Sequence, residues 1–224
     1  VVAELWAELQ LSSFEPREFE VNFGSPEGLA AIAIPNGQMD SILRGFVDRV
    51  DSWFSGGSNY YRVVDYKTGK KDFDYCDVFN GIGLQMLLYL FALEDNGSSV
   101  LGENARSAGV QYFPARAPYV NADGTMTAEE AQREHQKQWK RSGLLLSNED
   151  SLNAMDPSEK LDSLCCTRKK DGSLSGDLAD MQQLKMLERH VFRVLETLVE
   201  DIASGNVTPN PYTRGTVHNA CSFC

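Results

Sequence analysis

Along the first eleven residues Val2, Leu5, Trp6 and Leu9 fall on one stripe, the three-and-four spacing that predicts an amphipathic helix. Pro16 ends any helix there. Phe19, Val21 and Phe23 then alternate with Glu18, Glu20 and Asn22, the two-residue period of a half-buried strand. A second alternating run, Leu29 to Ile34, meets Pro35-Asn36-Gly37, and Asn-Gly is the strongest short hairpin signal. The return strand is predicted from about Met39 to Trp53. After a loop around Gly56-Gly57, Tyr60 to Lys67 forms a further strand rich in aromatic and β-branched residues. Locally these runs read as an antiparallel meander.

Beyond Lys67 the period changes. Thr68 to Asp72 breaks the strand, and residues 80–94 predict an apolar helix closed by Asp95-Asn96-Gly97. Gly109 to Phe113 predicts a short strand added to the sheet, and residues 126–141 a polar helix. Leu144 to Asp177 has little regular pattern and reads as loops and short turns. In the final helix Leu184, Leu187, Val191, Val194, Leu195, Leu198 and Ile202 form an apolar face opposite Lys185, Glu188, Arg189, Arg193, Glu196 and Glu200, with Gly205 as its stop.

Composition narrows the class. The 224 residues are 42% hydrophobic and 24% charged, an ordinary folded domain rather than a disordered or rod-like chain. Acidic residues number 32 against 21 basic ones, a formal charge of −11, so nucleic acid would have to meet a locally positive groove or a metal. No apolar run is long enough for a membrane span, and the N-terminus lacks a secretory leader. Five cysteines do not suggest a disulfide scaffold. A cytoplasmic protein with no membrane partner is expected, and an end at Cys221-Ser-Phe-Cys224 reads as that of a fragment.

The candidate chemistry lies in Gly45-Phe-Val-Asp48 and Val63-Val-Asp65-Tyr66-Lys67. Asp65 and Lys67, two apart in a strand, share a face, and a hairpin through Gly56-Gly57 can bring Asp48 beside Asp65. Two carboxylates so placed make a hard oxygen site for Mg²⁺ or Mn²⁺. A neighbouring lysine can steady a phosphate oxygen or an attacking water. Glu20 is the candidate third acid, with Glu18 on the same strand face. Asp65 and Lys67 alone would also fit a surface ion pair worth less than about 1 kcal/mol. The apolar neighbours Val47, Val50, Val63 and Val64 weigh against it, because an acid among them without a counter-charge is costly. Gln85 and Tyr89, four apart on the apolar helix, fit either a role at this site or a tie between helix and sheet. Lys70-Lys71 is placed to touch a DNA backbone, and equally reads as a solvated loop.

These residues resemble the PD-(D/E)XK nucleases of the RecB-like branch, which includes Cas4-type exonucleases. Gly45-Phe-Val-Asp-Arg-Val-Asp51 with Val64-Asp-Tyr-Lys-Thr-Gly69 and Gln85-Met-Leu-Leu-Tyr89 is most similar to the C-terminal nuclease domain of AddB (RexB)-type subunits of helicase–nucleases that process double-strand DNA breaks. The resemblance implies an α/β restriction-endonuclease-like core with a mixed central sheet flanked by helices, in place of a pure meander. It implies that Asp48, Asp65 and the Tyr66 backbone carbonyl bind metal, that Lys67 is the catalytic lysine and that Gln85 and Tyr89 assist. The expected activity is Mg²⁺-dependent hydrolysis of DNA of the exonuclease type, with Mn²⁺ substituting and an AddA-like protein as partner. Alternatives are a RecB-like or Cas4-like exonuclease outside such a complex, or a non-catalytic DNA-docking module.

The same resemblance assigns residues 1–205 to the nuclease domain and 206–224 to a tail leading into iron–sulfur cysteines. Cys221 and Cys224 look like two of the four thiolates of a 4Fe–4S cluster. Two cannot complete one, so the cluster is expected only in the full-length parent.

Overall fold

A computed structural model of the chain describes residues 1–34, 41–116, 119–120, 126–214 and 218–219. Helix α1 (Val2–Leu11) leads into β1 (Glu15–Phe23). A two-stranded ribbon of β2 (Ile32–Ile34) and β3 (Ser41–Leu43) precedes the long hairpin of β4 (Gly45–Ser55) and β5 (Ser58–Lys67). The expected strand over 39–53 is thus two, and the Asn36-Gly37 turn lies outside the described residues. Helices α2 (Tyr75–Phe79), α3 (Gln85–Asn96) and α4 (Ser98–Leu101) carry the chain across to β6 (Ala105–Pro114), which pairs parallel with β5.

The helix predicted over 80–94 begins only at Gln85. Gly81 and Gly83 have φ of 81° and 72°, left-handed geometry that a continuous right-handed helix cannot contain. After α5 (Ala128–Lys137) comes β7 (Ser142–Leu146), which runs into the stretch 144–177 expected to be loops. That stretch also holds α6 (Glu149–Met155) and the small hairpin β8 (Cys166–Arg168) with β9 (Leu174–Gly176), and β10 (Leu178–Ala179) follows it. Helix α7 (Met181–Ser204) follows, then β11 (Thr213–Arg214) and β12 (His218–Asn219). Cys221 and Cys224 lie outside the described residues.

The central sheet runs β1-β4-β5-β6-β7-β10. It is mixed: β5 with β6 and β7 with β10 are parallel, the other pairs antiparallel. The crossover through α3 is what a parallel neighbour requires, so the mixed sheet replaces the local meander reading. The main core fills the space between this sheet and α3 and α7, with Val63, Val110, Leu87, Leu90, Phe91 and Val191 buried in it. On α7 the buried face is Leu184, Glu188, Val191, Leu195 and Val199. Glu188, predicted on the polar side, is thus buried, with Lys185 2.7 Å away as its ion-pair partner, whereas Leu198 and Ile202, predicted to face inward, are exposed. Smaller cores lie around Phe14, Leu152 and Leu164, and around Val64, Phe113 and Trp139. No helix among the described residues is long and apolar enough to cross a membrane.

Candidate active site

Strands β4 and β5 are antiparallel with Arg49 opposite Val64 and Val50 opposite Val63. One further step along that register brings Asp48 level with Asp65. The Tyr66 backbone N–H donates to Asp48 Oδ2 at 2.9 Å, which holds the Asp48 carboxylate across the strand pair. Lys67 Nζ sits 2.6 Å from Asp65 Oδ2, as their shared strand face requires. Burial drives the Asp65 carboxyl above the usual carboxylate range; Lys67 works against that and the Asp48 charge adds to it. The two acids therefore feel one another, with the lysine beside them.

A divalent cation fits this donor set. Asp65 Oδ2 is buried with the Lys67 ammonium 2.6 Å away. The Asp48 charge beside it adds a second carboxylate, more negative charge than one lysine balances and an expensive state unless a further cation is met. Magnesium binds such sites through one or two carboxylates and keeps several waters. Asp48, Asp65 and the Tyr66 carbonyl are the residues that would hold it. Glu20 is not gathered with them: it is exposed, and among the described residues no three His, Cys, Asp or Glu side chains are placed to share one ion. Glu20 instead lies where β1 turns left-handed, with φ of 51°, in the ladder step between Phe19 opposite Arg49 and Val21 opposite Val47.

Gln85 and Tyr89 stand together at the start of α3, the amide Nε2 donating to the phenol Oη at 3.0 Å. Tyr89 is buried and stacks on Phe23 with ring centroids 5.9 Å apart. It also leans on Gly45, where a Cβ would come within 2.4 Å of the phenol oxygen. Tyr89 thus ties α3 to the β1–β4 edge leading to Asp48, while Gln85 is exposed and free to reach a ligand.

Beneath Asp48 and Tyr66, on the sheet face that α1 covers, lies an ion cluster that the pattern of the chain did not announce. Glu8 binds three arginines, at 3.1 Å from Arg49, 2.6 Å from Arg62 and 2.6 Å from Arg141. Asp51 binds Arg49 and Arg62, each at 2.8 Å, and Arg62 donates to Gln111 Oε1. Burial works to raise the Glu8 carboxyl, but Arg62, Arg141 and Arg49 prevail and bring it down to about 2. The available signal was the alternation of Arg49, Asp51 and Arg62 with buried valines, which puts charges where a strand face is covered.

The whole chain, residues 2–224, matches the family model of the PD-(D/E)XK nuclease superfamily. It is 37% identical over 222 residues to the B subunit of the ATP-dependent helicase/deoxyribonuclease of Acetivibrio thermocellus, covering 96% of this chain and 19% of that protein. The protein of the same name from Oceanobacillus iheyensis is 35% identical over 228 residues, covering 98% and 19%. The chain spans about a fifth of the length of these curated relatives. With a mixed sheet and an acid pair and lysine on its central hairpin, the chain belongs to the PD-(D/E)XK nuclease superfamily.

Proposed function

We propose that this domain is a divalent-metal-dependent deoxyribonuclease of the exonuclease type, acting in the cytoplasm within a two-protein helicase–nuclease that processes DNA ends. The observation that carries the reading is the Asp48–Asp65 juxtaposition with Lys67 Nζ 2.6 Å from a buried Asp65 oxygen. Bound Mg²⁺ or Mn²⁺ supplies Lewis-acid activation of water and charge neutralisation at phosphorus. The chain's own groups do the rest: Asp48 and Asp65 anchor the cation, with the Tyr66 carbonyl as a further donor. Lys67 holds a phosphate oxygen or the attacking water by charge, and Gln85 contacts the strand. The relatives' name, that of one component of a helicase/deoxyribonuclease, supports DNA as substrate and an AddA-like partner. The iron–sulfur cluster belongs to the full-length parent, with Cys221 and Cys224 among its ligands.

The test is Mn²⁺- and Mg²⁺-dependent cleavage of single-stranded DNA by the natural full-length protein, beside Asp65→Asn and Lys67→Met. Loss of at least about 10²-fold in kcat for each is expected. Cleavage unchanged in both variants, or absent from the wild type under all metals, overturns the reading.

A further inference from the structure

The acid pair explains bond cleavage but not how a strand is held beside it. Lys67 forms part of the wall of a cleft of about 530 Å³ that Lys70, Lys71, Arg116, Lys137 and Lys140 also line, with Asp72 its one acid among the described residues. Six cations against one carboxylate is a marked segregation in a chain of formal charge −11, and a cleft lined by one sign of charge concentrates counter-ions of the other. Lys67, Lys70 and Lys137 have carboxylates nearby. Lys71, Arg116 and Lys140 have no ion-pair partner among the described residues, so their charge is available to a ligand.

The topology explains why the cleft opens here. Strands β5 and β6 are parallel and end together, Lys67 level with Pro114. From β5 the chain leaves toward α3 and the main core; after β6 it returns by way of Trp139, which packs with Val64 and Phe113 on the opposite face. Departure to opposite faces leaves a crevice at the carboxyl ends of adjacent parallel strands, the usual place for a ligand in such sheets. Tyr119 lines the same cleft with its ring exposed. Its backbone is clamped by Gln138, through Tyr119 N–H to Oε1 at 3.1 Å and Nε2 to the Tyr119 carbonyl at 2.9 Å.

We infer that this cleft is the seat of a single DNA strand flanking the scissile phosphate. Lys71, Arg116 and Lys140 neutralise successive phosphates, and Tyr119 offers its ring face to an unpaired base. The cations fit any polyanion; the exposed, backbone-fixed aromatic favours unstacked bases, hence a single strand over a duplex. The identification of the strand as DNA substrate rests on the nuclease reading, whereas the binding of single strands does not.

The experiment uses the natural full-length protein carrying Asp65→Asn, without divalent metal, and a short 4-thiothymidine oligonucleotide as photo-cross-linking probe. Cross-links are expected on peptides containing Tyr119 or Lys137 to Lys140. They should fall on the order of tenfold when Lys71, Arg116 and Lys140 are all changed to Gln. The logarithmic salt slope of cross-linking should lessen by about 2, near 0.7 for each phosphate left without its cation. In the cleavage-competent protein the triple change should raise KM for short single strands much more than it lowers kcat. Cross-links elsewhere, or unaltered cross-linking with an unaltered KM, overturn the inference. Cleft cross-links in a wild type that never cuts DNA would sink the nuclease reading and leave the strand seat standing.

Discussion

Arg49 Nη1 donates to the Tyr66 phenol oxygen at 2.8 Å, while the backbone N–H of the same tyrosine donates to Asp48 at 2.9 Å. Tyr66 therefore links the buried ion cluster on one face of the sheet to the acid pair on the other. The resemblance to RecB-like nucleases would leave Tyr66 with a main-chain role and a replaceable side chain. The structure gives that side chain work as well: it accepts from Arg49 and packs edge-on against Phe113, centroids 5.5 Å apart. Tyr66→Phe keeps the ring and deletes the acceptor, leaving a buried guanidinium donor short of a partner. Thermal unfolding should report a loss of about 1–3 kcal/mol, with a milder fall in nuclease kcat than Lys67→Met produces.

Glu8 is the linchpin of the same cluster. Glu8→Gln leaves Arg49 and Arg62 with Asp51 as their one carboxylate and Arg141 without its ion-pair partner, and breaking a buried ion network from one side costs about 3–5 kcal/mol. Denaturant unfolding should show it. The pH dependence follows from the direction of the shift. The Glu8 carboxyl titrates at about 2 when folded against an ordinary 4.5, so its contribution, about 3 kcal/mol, is full above about pH 5. It drains away as pH falls toward 2. Acid unfolding of wild type should be steep in that window, and Glu8→Gln should flatten it.

How much of this was written in the chain can be judged element by element. The β4–β5 hairpin, with Asp48, Asp65 and Lys67 upon it, was legible because β5 is rich in aromatic and β-branched residues and the turn carries two glycines. Strand β7 was not: Ser142-Gly-Leu-Leu-Leu146 is covered on both faces, with Gly143 through Leu146 all buried, so it lacks the alternation that marks a half-exposed strand. The cleft cations Arg116, Lys137 and Lys140 lie at the two ends of the long β6–β7 connection. Their meeting near Lys71, with Trp139 packed against Phe113, is a tertiary outcome that local pattern does not carry. On α7 the buried stripe runs through Glu188, Val191, Leu195 and Val199, so Leu198 falls just off it and Ile202 lies past its end, and periodicity fixes neither the stripe's centre nor where a core ends.

Gly45 offers a test of the α3 tie. A Cβ there would stand 2.4 Å from Tyr89 Oη and 2.8 Å from the ring edge, so Gly45→Ala must push Tyr89 off Phe23. A cost of about 1–3 kcal/mol is expected, with nuclease activity falling alongside because Gln85 moves with its partner. Tyr89→Phe in the Gly45→Ala background removes the hydroxyl contact and leaves the ring contact. Melting temperatures should therefore show a partial recovery.

Glu20 can be tested as a metal acid against its role as a strained strand residue. If it were the third metal acid, any change that removes its carboxylate would weaken Mn²⁺ binding measured by calorimetry. The structure gives Glu20 an exposed side chain and a left-handed backbone, φ 51°, a conformation that costs an L-residue roughly 1–2 kcal/mol and glycine little. Glu20→Gly should then leave Mn²⁺ affinity unchanged and stability equal or raised by about 1 kcal/mol, part of the relief being offset by the chain entropy of glycine. Glu20→Val places a β-branched residue in the same strained geometry and should destabilise, again without touching the metal. A tenfold loss of Mn²⁺ affinity in both variants would restore Glu20 to the metal site.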